Sequence, residues 1–309
     1  MDLQQRTIRA SVSFDGIGLH SGVPVRMSLS PAAADTGILF RAPDGTLIPA
    51  TPDHVVDTRS ATTVGAFGVK VRSIEHLMAA ISALGIDNLL VEIDAEELPA
   101  ADGSAKPFVD LLSSAGRTSL AAAPRAPLRI TEPLRVGDEN RWLQIAPSDS
   151  FRISYTLDNR HPVIGLQVAS LALTEAAFVE EIAAARTYGF LKDVPVMRQN
   201  GLARGGSLDN AIVVGKRIVL NESLRFADEF VRHKILDVVG DLGLLGRPIL
   251  GHVIGRNAGH TLNHELAVAI QDALAAERRR GRSRTRAAAL RAPYGASSRE
   301  GLLPGIAAV

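Results

Sequence analysis

The run Phe230-Val231-Arg232-His233-Lys234-Ile235-Leu236-Asp237-Val238-Val239-Gly240-Asp241 sets the first demand on any fold for this chain. On a helix His233, Asp237 and Asp241 stand at i, i+4 and i+8, so their side chains leave one face. An imidazole and a carboxylate one turn apart can hold one divalent cation with almost no loop entropy opposing them. Two ligands do not complete a site. A third ligand and, for hydrolysis, a base must be brought to this helix from elsewhere in the chain.

The spacing is comparable to the H-E-x-x-H helix of metalloproteases, with Asp237 where the second histidine would be. There the residue after the first histidine is the general base; here it is Lys234, a poor base unless its pKa is strongly lowered. The 309 residues include no cysteine, so any metal must sit on histidine and carboxylate.

Glu75-His76 is the best source of the missing parts. It falls on the first turn of a helix expected over residues 74–81, with Ser73 as N-cap and Gly85 as C′. A metal on His76, His233 and Asp237 would keep a fourth position open, as catalytic zinc sites do, and Glu75 could take a proton from bound water. The same two-histidine, one-carboxylate set also suits Fe(II). His260, between an expected strand and helix, could protonate a leaving amine, and Asp241 could hold its ring cationic. Each assignment has a plainer alternative. Acidic residues favour a first helical turn through the dipole alone, and a loop histidine or a capping carboxylate needs no catalytic role.

Around these residues the pattern alternates strands and helices. Strands are expected over 25–30, 88–93, 128–136, 142–146, 151–157, 211–214, 217–220 and 249–254. Helices are expected over 107–112, 174–184, 224–245 and 263–276, and Asp102-Gly103-Ser104 reads as a turn. Residues 117–127, rich in Ala and Pro, form the best linker. The expectation is an α+β protein of two similar domains, 1–122 and 128–276, each a sheet packed with helices, followed by a tail over 277–309. The glycine-rich stretches 16–22 and 205–207 fit either a ligand loop or ordinary turns.

That tail carries eight arginines against two glutamates, a net of +6, and leaves a body of 26 basic and 31 acidic residues, a net of −5. A basic tail on an acidic body is unlike a nucleic-acid-binding domain, so no nucleic-acid partner is expected. A solvated tail is the plain reading, and peripheral contact with an anionic inner-membrane surface is the sharper one. The N-terminus lacks a signal-peptide pattern and no apolar run reaches the roughly 18 residues of a membrane span. The expectation is a cytoplasmic, monomeric protein.

Four longer motifs carry a resemblance: Ser73-Ile74-Glu75-His76-Leu77; Glu97-Leu98-Pro99-Ala100-Ala101-Asp102-Gly103-Ser104-Ala105; Ala185-Arg186-Thr187-Tyr188-Gly189-Phe190; and Arg225 through Lys234. In that order, with 16–22, 205–210 and 259–263, they resemble the UDP-3-O-acyl-N-acetylglucosamine deacetylases, zinc amidases of lipid A biosynthesis in Gram-negative bacteria. The similarity runs over about residues 4–275. It implies an active site between the helical layers of two domains, zinc on His76, His233 and Asp237, Glu75 as base, His260 as acid and Asp241 as its orienting partner. It also implies that Thr187 binds the oxyanion and Lys234 adds positive charge near the reacting centre. Phe190, Val194, Ala203, Gly206 and Ser207 would line an acyl passage, and Asp158 would contact the UDP-linked acylated amino-sugar substrate. Two positions depart from the family pattern. Asn159 stands where an aromatic residue commonly stacks on uracil, and Asn257 where a lysine is common, with Arg256 beside it. An amidase for another acylated amine is the alternative that Asn159 supports; an RNA-associated protein is suggested by the basic tail alone.

Overall fold

The computed structural model describes residues 4–291. Residues up to Ile270 form one compact unit of mixed α+β structure. Among the described residues the α-helices are α1 (Glu75–Ala83), α2 (Lys106–Ala115), α3 (Glu175–Ala177), α4 (Val194–Gln199), α5 (Glu229–Gly243) and α6 (His260–Arg291).

Two sheets frame the unit. The first has five strands in the order Val12–Ile17, Pro24–Pro31, Leu89–Ile93, Ile38–Arg41, Leu47–Pro49, antiparallel except for the parallel pairing of Ile38–Arg41 with Leu89–Ile93. Alternate residues point inward, as the period of two demands: Val25, Met27 and Leu29 on one strand, Leu89, Val91 and Ile93 on the next. Phe14 of this sheet meets Phe108 of α2 edge to face, ring centres 6.2 Å apart. The second sheet joins Leu134–Gly137, Trp142–Ala146, Ile249–Arg256, Phe151–Asp158 and Leu166–Ala172 in that order, with Leu128–Arg129 added parallel to Ile249–Arg256. Its buried side chains include Leu143, Ile145, Ile153, Tyr155 and Val253, and α5 packs on the strands Phe151–Asp158 and Leu166–Ala172.

The helices α1 and α5 lie directly against each other. This approach requires glycine. A Cβ on Gly240 would collide with the carbonyl oxygen of Glu75, and one on Gly243 would sit 3.3 Å from Ser82 Cβ and 3.4 Å from Met78 O. Gly240→Ala should force α5 off the first turn of α1. We expect a loss of about 1–3 kcal/mol in denaturant unfolding, with Glu75 displaced at the contact. A variant with parental stability would contradict this packing.

Three local expectations are corrected. Ser73 does not cap α1: it adopts a left-handed φ of 59°, and its hydroxyl donates to Glu97 Oε1 at 3.0 Å. Gly85 does follow the helix end, at φ 67°. Part of the expected linker is a strand, Arg117–Pro124, antiparallel to Gln4–Ile8. Its Ala-rich composition gave no alternation to read, and its partner lies at the other end of the first half. The helix expected over 174–184 is only the short α3, which passes into a π-helical turn over Phe178–Ile182.

The second unit, 271–309, contains the remainder of α6. Thus the basic stretch expected as a tail from residue 277 is helical as far as Arg291. Residues 292–309 of that tail lie outside the described residues. Among the described residues no helix is long and apolar enough to cross a membrane.

Candidate metal centre and active site

The helix α5 presents His233 and Asp237 on one face, and α1 brings His76 to them. One ligand atom from each of the three lies within 4.8 Å of the others. His233 Nε2 is 3.3 Å and His76 Nε2 3.8 Å from Asp237 Oδ1, and the two imidazoles meet nearly perpendicular, centres 5.0 Å apart. The Nδ1 of His233 donates to the Ala185 carbonyl at 3.1 Å, which leaves the Nε2 lone pair free for a metal. Burial, helped by His233 nearby, pushes the His76 pKa down to about 3, and burial also lowers that of His233. Burial opposes charge on Asp237, but His233 and Lys234 hold its carboxyl well below the usual range. The set is therefore two neutral imidazoles and a carboxylate, the protonation state a divalent cation needs. Asp237 Oδ1 is buried without a hydrogen-bond partner. An orphaned carboxylate oxygen between two free imidazole nitrogens fits a cation.

Glu75 precedes His76 on the same turn and is buried. Its Oε2 accepts the Thr62 N–H at 3.0 Å. Burial pushes its pKa up to about 7 against the opposing pull of His260. At the start of α6, His260 sets Nδ1 2.8 Å from Asp241 Oδ2, leaving Nε2 as the nitrogen that can reach a substrate. Burial disfavours its imidazolium, but Asp241, Asp237 and Glu75 outweigh that and raise its pKa to about 10. A dication on the neighbouring ligands would lower both values. Asp241 is itself buried and also accepts from Asn263 Nδ2 at 2.7 Å and from the Thr62 hydroxyl at 2.5 Å.

Glu75, His76, Thr187, His233, Lys234, Asp237, His260 and Asp158 line one cavity of about 560 Å³. The main chain of Thr187 is fixed by bonds to Gly103 O and from Ile212 N, while its hydroxyl has no partner among the described residues. Lys234 lines the cavity as well, and it has a partner there. Its ammonium bonds Asp237 Oδ2 at 2.8 Å; burial opposes its charge, but Asp237, Tyr188 and Tyr155 raise its pKa. It thus neutralises a ligand as well as lining the cavity.

The remaining expected contacts divide. Asp158 lines the cavity and pairs with Arg256 Nη2 at 2.5 Å. Asn257 holds a left-handed φ of 48°, and its side chain bridges both main-chain groups of Asp158, at 2.8 Å to N and 3.1 Å to O. The departure from lysine therefore has a structural use at this turn. Asn159 lines the cavity and accepts the His161 N–H at 2.9 Å. Phe190, Val194, Ala203, Gly206 and Ser207 are not on the cavity wall. Ala203 N approaches His20 Nδ1 at 3.4 Å, and a Cβ on Gly206 would sit 3.8 Å from Leu19 Cδ1, so the 203–206 loop backs onto two residues that do line it. The ring of Phe190 packs on His161, centres 5.4 Å apart. Val194 opens the mostly exposed helix α4, and Ser207 binds the Asp209 N–H at 3.1 Å within its own turn.

Several participants were given no individual role by the sequence. Glu97 is buried and accepts from His20 N at 2.8 Å, Ser21 N at 2.7 Å and the Ser73 hydroxyl, tying the 18–22 loop to the start of α1. Gly18 is required there, since a Cβ would lie 2.5 Å from Glu97 Oε2. Glu229 is fully buried and accepts Arg186 Nε at 2.8 Å, Arg186 Nη2 at 3.1 Å and Arg225 N at 2.6 Å, which anchors the first turn of α5. Thr62 stands in none of the motifs and Asn263 at the end of the 259–263 stretch, and both hold Asp241.

Residues 5–272 match the family model described as LpxC, UDP-3-O-acyl N-acetylglycosamine deacetylase. Among similar proteins, one from Acidithiobacillus ferrooxidans is 47% identical over 274 residues, covering 87% of this chain and 90% of that protein. One from Myxococcus xanthus is 49% identical over 266 residues, covering 85% and 84%, and one from Nautilia profundicola is 48% identical over 265, covering 85% and 90%. All three bear the name UDP-3-O-acyl-N-acetylglucosamine deacetylase.

Proposed function

This chain belongs to the UDP-3-O-acyl-N-acetylglucosamine deacetylase family of lipid A biosynthesis, and we propose that it hydrolyses the acetamide of its UDP-linked substrate with Glu75 as general base and His260 as general acid. The observation that carries the reading is the single cavity onto which the ligand set, Glu75 and His260 all open. A divalent cation on His76, His233 and Asp237, which we assign as zinc, would supply Lewis acidity toward the carbonyl and the attacking water.

The chain's own residues do the rest. Glu75 accepts a proton from the water as its oxygen bonds to the acetyl carbon. The Thr187 hydroxyl donates to the developing oxyanion. His260 Nε2 then delivers a proton to the nitrogen as the C–N bond breaks, giving acetate and a free amine. Asp241 stabilises the imidazolium through Nδ1 and fixes the ring. The acyl chain leaves the cavity past Leu19 and His20 toward Ala203 and Gly206, with Phe190, Val194 and Ser207 farther along. We divide the chain functionally at 122–128, each half supplying one sheet and one of the two central helices.

A second reading, an amidase for an acylated amine without a nucleotide, draws on Asn159 in the cavity wall. One comparison tests both. Acetate should be released in equal amount with free amine from UDP-3-O-acyl-N-acetylglucosamine, and at least tenfold more slowly, in round numbers about one favourable contact's worth, from the same sugar lacking UDP. Equal rates would favour the second reading.

A further inference from the structure

Thr62 lies just before the strand Thr63–Ala66, is only 1% exposed, and makes polar contacts in three directions. Its N–H donates to Glu75 Oε2 at 3.0 Å and its hydroxyl to Asp241 Oδ1 at 2.5 Å. Its carbonyl accepts the N–H of Ile74, the residue before α1, at 3.3 Å. His260 Nδ1 is 3.4 Å from the hydroxyl but 2.8 Å from Asp241 Oδ2. A hydroxyl has one proton, and the short contact to the carboxylate takes it; the Nδ1 proton goes to Oδ2. Asn263 holds that same Oδ2, so among the described residues the Thr62 hydroxyl is the sole partner of Oδ1.

We propose that Thr62 is a positioning residue that sets the spacing between the base and the acid. Its N–H holds Glu75, and its O–H holds His260 through Asp241. The two anchors are joined by N–Cα–Cβ–Oγ1 of one residue, so neither can drift without the other. Hydrolysis requires Glu75 at the water and His260 at the leaving nitrogen of the same carbon, and a misplacement of about 1 Å costs on the order of 100-fold. The other role open to such a threonine is to satisfy a buried carboxylate for stability alone. That role predicts lost stability and no selective effect on kcat. The inference rests on the acid–base reading of Glu75 and His260.

Thr62→Val keeps the N–H and the volume but removes the hydroxyl, and Thr62→Ser restores it without the methyl. In the holoenzyme, Thr62→Val should lower kcat about 10- to 100-fold while KM and metal content stay within about twofold. Thr62→Ser should return to within about threefold of the parent, and adding Thr62→Val to Asp241→Asn should slow that variant by no more than about twofold. Near-UV circular dichroism identifies any variant that fails to fold, and the serine form then carries the comparison alone, by its expected near-parental kcat and KM. A parental kcat in folded Thr62→Val overturns the proposal. So does a serine form slowed at least tenfold, or an undiminished valine effect in Asp241→Asn. Glu75→Gln and His260→Gln are run beside them. If those two are slow and Thr62→Val is not, the inference alone falls; if they turn over at the parental rate, the acid–base reading falls and takes the inference with it.

Discussion

Glu75→Gln should lower kcat by about 10²–10⁴-fold while leaving one metal per chain bound. Glutamine keeps the shape of the side chain and its carbonyl oxygen can still accept the Thr62 N–H, so what disappears is the proton acceptor. His260→Gln should fall as far for the complementary reason, since no imidazolium remains to protonate the leaving nitrogen. The pH dependence separates the two. For the parent, kcat/KM rises with pH as Glu75 loses its proton and falls as His260 loses its own. Burial places the first near 7 and the Asp241-supported imidazolium places the second near 10, and a bound dication moves both downward. The glutamate variant should lose the acidic limb and the histidine variant the alkaline one. Parental rates in either variant would remove that residue from the chemistry.

Removing a metal ligand should abolish turnover, and the choice of ligand should matter for stability. His233→Ala takes away a neutral imidazole and leaves no charge stranded. Asp237→Ala takes away the counter-ion of Lys234, whose ammonium sits 2.8 Å from Oδ2 in a site that excludes most water. Breaking such a pair from one side costs on the order of 3 kcal/mol. After dialysis both variants should lack metal and activity, but with chelator present throughout, Asp237→Ala should unfold at clearly lower denaturant than His233→Ala. Equal midpoints would mean that Lys234 finds another partner or faces solvent, and that its bond to Asp237 is not structurally important.

The sequence revealed most where the signal is local or where motifs are long. The face shared by His233, Asp237 and Asp241 follows from helical periodicity within twelve residues, and the structure keeps it. The pairing of His76 with that face needed a search for a missing ligand, and the long motifs around both helices pointed to the same family. What sequence reasoning missed depends on contacts distant in the chain. Ser73 has the chemistry of an N-cap, but Glu97 takes its hydroxyl and a left-handed backbone turns it away from the helix. The segment 117–124 reads as a linker because strand pairing with residues 4–8 leaves no mark on its composition. Asn257 looks like the loss of a cation, whereas its amide holds the turn that carries Asp158. Thr62 is one of many threonines, and only the meeting of α1, α5 and α6 around it gives it a role. Ala203 and Gly206 sit in a loop without periodicity, so their approach to His20 and Leu19 could be seen only in three dimensions.

The central claim is that α1 and α5 together hold one catalytic cation on His76, His233 and Asp237, facing Glu75 and His260. The most direct measurement is anomalous diffraction from crystals of the holoenzyme, collected on both sides of the zinc edge. We predict one strong zinc peak at coordination distance from His76 Nε2, His233 Nε2 and Asp237 Oδ1, with Glu75 and His260 opening onto its remaining side. A peak at other residues, or an active, fully folded enzyme with no metal at these three, would contradict the account.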